Sequence, residues 1–367
     1  MSLVIANAFL IIMVLLEIAL IYFYKKEPIP WREIIFNLNS GHILMWVLRG
    51  LELGVFHFVL THWSFHLLDQ WSDWSVWLFG FLTWDFCFYW LHRFHHKYRF
   101  LWAVHVVHHE GEHFSLSLGI RNSWYSSLTA IPFFVGLAFI GVPLEVFIAT
   151  SSIHYIIQFY NHNNIVGKSG WLENIMITPA HHRVHHGSNE IYWDKNLGGT
   201  FVFWDKMFGT FQAELAEEPV IFGTKDYVKT ENVVWANIFP FLKLFNWSER
   251  WDTPTQSAFQ VSDRFISSGG ILLFGLLLYY IAQEPIWSDH LKLNFFIIIF
   301  LGTIANGGIS EGKYWGLTLW AINFLILGPV FLFSNGIAGS LLGLLLASLA
   351  IHSLITLGKV KFSTASF

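Results

Sequence analysis

The chain has 367 residues, of which 54% are hydrophobic and 13% charged, where a soluble domain carries about a quarter charged residues. With 19% aromatic residues and a mean hydropathy of +0.49, this is the composition of a membrane protein. A net charge of −4 excludes a strongly basic nucleic-acid binder, and a single cysteine, Cys87, excludes an intrachain disulfide framework and Cys-ligated zinc or iron–sulfur centres.

Residues 3–24 are apolar over the ~20 residues a bilayer crossing needs. The run is too long for a signal-peptide core and no small-residue cleavage site follows, so it reads as a span that stays. Glu17 interrupts it and is expected to face the bundle; Lys25, Lys26, Pro28, Pro30 and Arg32 follow it. A second span covers 43–60, and a third runs from Trp74 into a polar stretch, 92–121, that cannot cross. Residues 128–158 are apolar again, broken at Gly141-Val142-Pro143, which predicts a helical hairpin entering and leaving on one side. Residues 161–264 are polar and aromatic-rich. Four apolar segments follow, at 271–281, 291–304, 315–333 and 337–357, the first two short enough to extend at either end.

Orientation follows from Lys and Arg near the spans. Lys25, Lys26, Arg32, Arg93, Lys97, Arg99, Arg121, Arg183, Lys313, Lys359 and Lys361 can share one side, whereas the opposite loops 61–73, 284–290 and 334–336 contain neither residue. The polar stretch is therefore expected on the cytoplasmic side, in a bacterial inner membrane or the endoplasmic reticulum. The fold class expected is all-α, a polytopic membrane helical bundle with a cytoplasmic histidine-rich dimetal region. Three segments are expected: 1–73 with N-terminal spans, 74–264 with the histidines and the hairpin, and 265–367 with four spans.

Thirteen of the nineteen histidines fall between His92 and His186. His92 and His96 read HxxxH; His105, His108 and His109 read HxxHH; His182, His185 and His186 repeat it. On a helix, positions three and four apart share a face, so each box gathers imidazoles as a transition-metal site requires. Two first-row metals with about four ligands each need on the order of eight nitrogens. These eight are the candidates, with His162, one turn after Gln158, as a ninth. His95, His113, His154 and His181 are expected to be hydrogen-bonded structural histidines. Asp85, two turns before His92 on the same face, is a candidate catalytic or ligand-orienting acid, or else a buried acid paired with Arg93 or a tryptophan N–H. Glu112 is a second candidate acid, and Arg121 either binds an anion or marks the membrane boundary. The chain has no HExxH, GxSxG, P-loop or GxGxxG, which leaves zincin protease, serine hydrolase and nucleotide-site readings without a motif. A metal transporter would carry its histidines at membrane depth, whereas these boxes lie at span ends. A structural zinc site would need only four ligands.

The three boxes, with Asp85 and Tyr89 ahead of the first, resemble those of the fatty acid hydroxylase/sterol desaturase superfamily. Within it they are similar to the alkylglycerol monooxygenase (glyceryl-ether monooxygenase) branch. The supporting stretches are HHEGEHFSLS at 108–117, Gln158-Phe159, PAHHRVHHG at 179–187 and DKNLGG at 194–199, with Trp204-Asp205-Lys206 and FGTF at 208–211. The extra C-terminal spans also match that branch. After His162, where that branch carries an acid, this chain has Asn163 and Asn164. The resemblance implies a membrane dimetal oxygenase using two iron ions (zinc can occupy such a site in isolated protein) and O2. It further implies tetrahydrobiopterin as reductant and an ether lipid as substrate. The alternative within the superfamily is a sterol or fatty-acyl desaturase or hydroxylase fed by a redox-protein electron donor. The expected partners are thus a lipid substrate, the bilayer and an electron donor, with no nucleic acid.

Overall fold

The computed structural model describes residues 3–40, 42–224, 230–248, 257–337 and 341–359. Lys361, counted in the charge bias, and residues 338–340 of the last apolar segment lie outside them. The all-α expectation holds: helix makes up 71% and no strand forms among the described residues, where one isolated antiparallel bridge joins Met176 and Phe201. In chain order the helices are α1 (Leu3–Leu20), α2 (Trp31–Ser40), α3 (His42–Trp63), α4 (Asp73–Lys97), α5 (Arg99–His109), α6 (Ser126–Ile140), α7 (Leu144–Asn161) and α8 (Pro179–His185). They continue with α9 (Phe203–Phe208), α10 (Val233–Leu244), α11 (Asp263–Gln283), α12 (Asp289–Ser310), α13 (Tyr314–Ile322), α14 (Gly328–Ser334) and α15 (Leu341–Lys359). Two compact units result: Leu44–Tyr227, and Met1–Ile43 together with Val228–Phe367.

The second of these contains the four helices among the described residues that are long and apolar enough to cross a bilayer: Asp263–Gln283, Asp289–Ser310, Tyr314–Ser334 and Leu341–Gly358. The two short apolar segments do extend into their polar flanks, helped in α12 by Ser288, whose hydroxyl accepts from the Leu291 N–H. Tyr314–Ser334 runs through a π-helical turn at Asn323–Leu327, where the Asn323 amide donates to the Ile298 carbonyl at 2.8 Å. Small residues set the packing: a Cβ on Gly316 would lie 2.5 Å from Gly308 backbone, so α12 and α13 touch main chain to main chain. Leu344, Ile351 and Val330 point outward while Leu273, Phe295 and Trp320 are buried, the pattern of a bundle solvated by lipid. Glu17 on α1 is buried, as a carboxyl inside an apolar helix is expected to be.

The Leu44–Tyr227 unit is built on α4. Its core joins Phe56 and Val59 of α3, Trp84 and Leu91 of α4, Phe134 and Leu137 of α6, and Val146 and Phe147 of α7. Gly80 lets α7 approach α4, since a Cβ there would meet Val146 Cγ1 at 2.6 Å. The expected break at Gly141 is present. Gly141 takes φ +106, its N–H reaches the Ala138 carbonyl at 3.1 Å, and the Val142 N–H reaches Leu137 at 3.0 Å. This is a Schellman stop, and Pro143 then opens α7. The hairpin tip bonds the α3–α4 loop, Phe65 N–H to Phe139 at 2.7 Å and Leu67 N–H to Ile140 at 3.0 Å. The hairpin therefore runs from the histidine end of α4 to its opposite end. One extended residue, Tyr98, separates α4 from α5 and folds the second box back onto the first.

Candidate metal centre

The boxes deliver their imidazoles to two clusters. One gathers His92, His96, His105, His109 and His185; the other gathers His108, His162, His182 and His186. Within each cluster the nitrogens lie within 4.8 Å of one another. Helix geometry explains the partition. Residues i and i+4 differ by ~40° around a helix, whereas i+3 falls ~60° to the other side. His92/His96 and His105/His109 are i,i+4 pairs serving the first cluster, and His108, at i+3, leans to the second. Box three inverts this: His182/His186 serve the second cluster and His185 the first. The doubled histidines thus straddle the centre, which is why His109 and His186 stack with ring centroids 4.3 Å apart. α8 presents His182 and His185 within only seven residues, with His186 as its C-cap, and is started by Pro179 at its first turn, where a missing N–H costs nothing.

The hydrogen bonds behind the rings fix which nitrogen faces inward. Nδ1 of His92 meets the Leu197 carbonyl at 2.9 Å, His108 that of Arg121 at 2.7 Å, His162 that of Gln158 at 2.7 Å, and His185 that of Lys195 at 3.0 Å. A carbonyl only accepts, so each Nδ1 carries the proton and each Nε2 presents a lone pair. Those lone pairs converge. His162 Nε2 lies 3.1 Å from His108 Nε2, 3.2 Å from His186 Nε2 and 2.9 Å from His182 Nε2. In the other cluster His105 Nε2 lies 3.0 Å from His92 and 3.1 Å from His109. His96 Nε2 and His185 Nε2 are buried with no hydrogen-bond partner among the described residues. His108 and His162 face each other acceptor to acceptor, which repels unless a cation sits between them, and with one such cluster on each side the donor set fits two transition-metal ions.

Electrostatics agree. Burial, followed by repulsion from neighbouring imidazoles, holds His105, His109, His182, His185 and His186 well below the ordinary imidazole pKa. Burial pushes His108 down to about 4. The rings are therefore neutral at pH 7, the form that binds metal. Aromatic side chains close the centre. Phe114 stacks on His162 and on Phe222, Trp102 packs on His96 and His109, and Phe88 on His92.

All nine sequence candidates for metal ligation fall in these two clusters. The candidate acids do not. Asp85 is buried and accepts from Thr200 N–H at 2.7 Å, Phe201 N–H at 3.3 Å and Trp204 Nε1 at 2.9 Å. The tryptophan pairing anticipated for it is present, and its nearest imidazole is that of His154, 3.6 Å away and in neither cluster. Glu112 is exposed on the turn after α5 and belongs to neither cluster. Arg121 binds its own chain: Nε donates to the Val107 carbonyl at 2.6 Å and Nη2 to Glu110 at 2.6 Å, which fastens the end of α5. Burial pushes the Glu110 carboxyl up to about 7 against the lowering effect of Arg121. His95 bonds Thr129 at 2.9 Å, His181 lies 3.4 Å from Thr178, and His113 is exposed.

Sequence reasoning assigned no role to Asp205. It is fully buried and accepts from Leu197 N–H at 2.7 Å, Gly198 N–H at 2.8 Å and the Thr210 hydroxyl at 2.6 Å. Asp194 was also missed; its Oδ1 lies 3.2 Å from His96 Nδ1. The signal for both was their place in the DKNLGG and WDK stretches, which carry resemblance but no readable chemistry.

The fatty acid hydroxylase family model matches residues 77–210, a stretch holding all nine histidines, Asp85 and Asp205. The chain is 34% identical over 251 residues to an alkylglycerol monooxygenase of Danio rerio, covering 67% of this chain and 55% of that protein. With the Homo sapiens protein of the same name it shares 33% over 255 residues, 68% of this chain and 56% of that one. It is 30% identical over 157 residues to an ornithine lipid hydroxylase of Rhizobium tropici, covering 41% of this chain and 46% of that protein. The chain spans about half the length of these curated relatives, and no solved structure matches it. With the two histidine clusters lying wholly inside the matched stretch, residues 77–210 are a fatty acid hydroxylase family domain.

Proposed function

We propose that the chain is a membrane-bound, two-metal, O2-dependent oxidoreductase that oxidises a C–H bond of a lipid. The observation that carries this reading is the convergence of nine imidazoles into two adjacent clusters, with the Nε2 lone pairs of His92, His108, His162 and His185 turned inward. His92, His96, His105, His109 and His185 would hold one iron, and His108, His162, His182 and His186 the other. Zinc accepts the same nitrogens and would bind in isolated protein. Bound iron would supply O2 activation and C–H oxidation, with O2, two electrons from the reductant and two protons giving hydroxylated lipid and one water. The protein's own part is to keep the rings neutral and oriented through Leu197, Lys195, Arg121 and Gln158, and to exclude water with Phe88, Trp102 and Phe114. The apolar helices around α4 would receive the lipid chain, and the histidine end would face the cytoplasm.

For substrate and reductant we propose an alkylglycerol ether and a tetrahydropterin. The relatives named alkylglycerol monooxygenase support this choice. Hydroxylation of the carbon beside the ether oxygen gives a hemiacetal, which separates into aldehyde and alcohol. A second reading, hydroxylation of another membrane lipid with electrons from a redox protein, is favoured by Asn163 and Asn164 and by the relative named ornithine lipid hydroxylase. Iron-loaded protein incubated with alkylglycerol, O2 and tetrahydropterin should release fatty aldehyde. No aldehyde there, with hydroxylation of another lipid on addition of a ferredoxin or cytochrome, would replace the first reading by the second. No oxidation under either condition would refute both.

A further inference from the structure

We propose that the segment 194–198 fixes the metal position of the larger cluster, with Asp205 as its positioning residue. The inference rests on the two-metal reading above. Three of the five imidazoles in the larger cluster take their Nδ1 partner from this one segment: His96 from the Asp194 carboxylate, His185 from the Lys195 carbonyl and His92 from the Leu197 carbonyl. In the smaller cluster His108 and His162 take theirs elsewhere, from Arg121 and from Gln158.

The segment can aim these groups inward because of its backbone. Asp194 and Asn196 stand at φ 56 and 51, a conformation that Asp and Asn tolerate better than other side chains. The turn is then clamped from two directions. Asp205 accepts from the N–H groups of Leu197 and Gly198, so the peptide whose carbonyl meets His92 is gripped at its own N–H, that of Gly198, and the peptide before it at that of Leu197. Asn196 donates to the carbonyls of His181 and Gln212 and accepts from the Gln212 N–H. Just past the segment, Asp85 accepts from the N–H groups of Thr200 and Phe201, and the Gly199 carbonyl accepts from the side-chain amide of Gln158, whose own carbonyl holds His162. The Asp205 clamp extends through the Thr210 hydroxyl to the Tyr89 hydroxyl at 3.0 Å and on to Arg93 at 2.9 Å, back on the helix that carries His92 and His96. The chain thus runs from α4 through 205 and 197 back to α4, and touches no member of the smaller cluster.

The test is iron bound per chain in the detergent-solubilised full chain, titrated with ferrous iron. Wild type should bind two. Asp205→Asn puts an amide donor against a backbone N–H and should weaken one site by about 10–100-fold, the usual effect of losing a ligand's outer partner, while leaving the other unchanged. His182→Ala should remove the complementary site, so Asp205→Asn with His182→Ala should keep only the weakened site, about half-filled or less at iron near ten times the wild-type Kd. Asp205→Asn with His185→Ala should leave the smaller site as tight as in wild type. If Asp205→Asn does not fold, Thr210→Val removes one bond to the carboxylate and is read by the same titration. Two sites unchanged in either folded variant, or both sites weakened equally, would overturn the inference. A wild-type chain that binds no iron would instead overturn the two-metal reading on which it rests.

Discussion

His108 and His162 meet Nε2 to Nε2 at 3.1 Å, each with its Nδ1 proton committed to a backbone carbonyl. Neither can donate to the other, so the metal-free contact is repulsive and a bound cation stabilises the fold by mass action. Stripping metal with a chelator should therefore lower the melting temperature. At free metal about 1,000-fold above Kd the stabilisation is about 4 kcal/mol. Thermal melts with and without chelator, and after iron is restored, check this; identical curves would remove the cation from the centre.

The two clusters predict different losses from neighbouring substitutions. His108→Ala should empty the four-histidine position and His185→Ala should weaken the five-histidine position, each lowering the metal content of the chain and neither keeping activity. Metal analysis and lipid-oxidation assays on both variants check this. Full activity, or two metals retained, in either variant would remove that histidine from the centre.

The clustering was readable because helix spacing makes HxxHH a convergent set, and the nine histidines named as candidates are the nine that cluster. The partition between clusters was not readable, since it depends on how α5 and α8 face each other across the fold. The orienting groups were hidden for a second reason. Four of them are backbone carbonyls, at Leu197, Lys195, Arg121 and Gln158, and a carbonyl leaves no mark in a sequence. Asp85 was visible as a buried acid, but its spacing to His92 suggested an imidazole partner, whereas the fold brings Thr200 and Trp204 to it from more than 100 residues away. The Gly141 break was legible because glycine and proline are local signals. That the hairpin tip would bond Phe65 and Leu67 was a tertiary fact with no local signal.

The hairpin geometry makes a topological prediction. Its tip touches the α3–α4 loop, so histidine-side residues and that loop lie at opposite ends of α4. In a Cys87→Ala background, single cysteines at the exposed positions Glu112 and Glu190 should label from one side of the membrane, and one at exposed Asp69 from the other. Opposite labelling of 112 and 190 would separate the histidine boxes and end the shared-centre reading. Same-side labelling of 69 and 112 would mean that α4 does not cross.

Arg183 sits inside the third box but bonds away from both histidine clusters. It makes a two-pronged pair with Glu214, at 2.8 and 2.7 Å, and donates to the carbonyls of Asn163 and Val166 at 3.3 and 2.8 Å. Lysine cannot reproduce that fork. Arg183→Lys should therefore cost about 1–3 kcal/mol of stability, the range for hydrogen bonds to charged groups, with both metals retained at low temperature. Denaturant titration and metal analysis check this; loss of metal without loss of stability would place Arg183 in the centre itself.

Asn163 directly follows His162, and its surroundings say what an acid there would meet. The side chain is buried; its amide donates to the Tyr160 carbonyl and its oxygen accepts from the Val166 N–H at 2.9 Å. It shapes the turn that Arg183 grips, directly after His162. A carboxylate can keep the second bond but cannot make the first, because it has no proton to donate. Asn163→Asp should therefore fold with a modest loss, about 1 kcal/mol. Asn163→Glu adds a methylene to a filled site and sets an uncompensated charge against a carbonyl, and should cost more, about 1–3 kcal/mol. Pterin-dependent aldehyde release should fall or stay level in both variants, since neither frees the side chain from its turn. Melting curves and single-turnover assays on the pair check this. A rise in pterin-dependent turnover in Asn163→Asp at unchanged stability would show that the carboxylate reaches the reaction after all, and that the amide in this chain limits it.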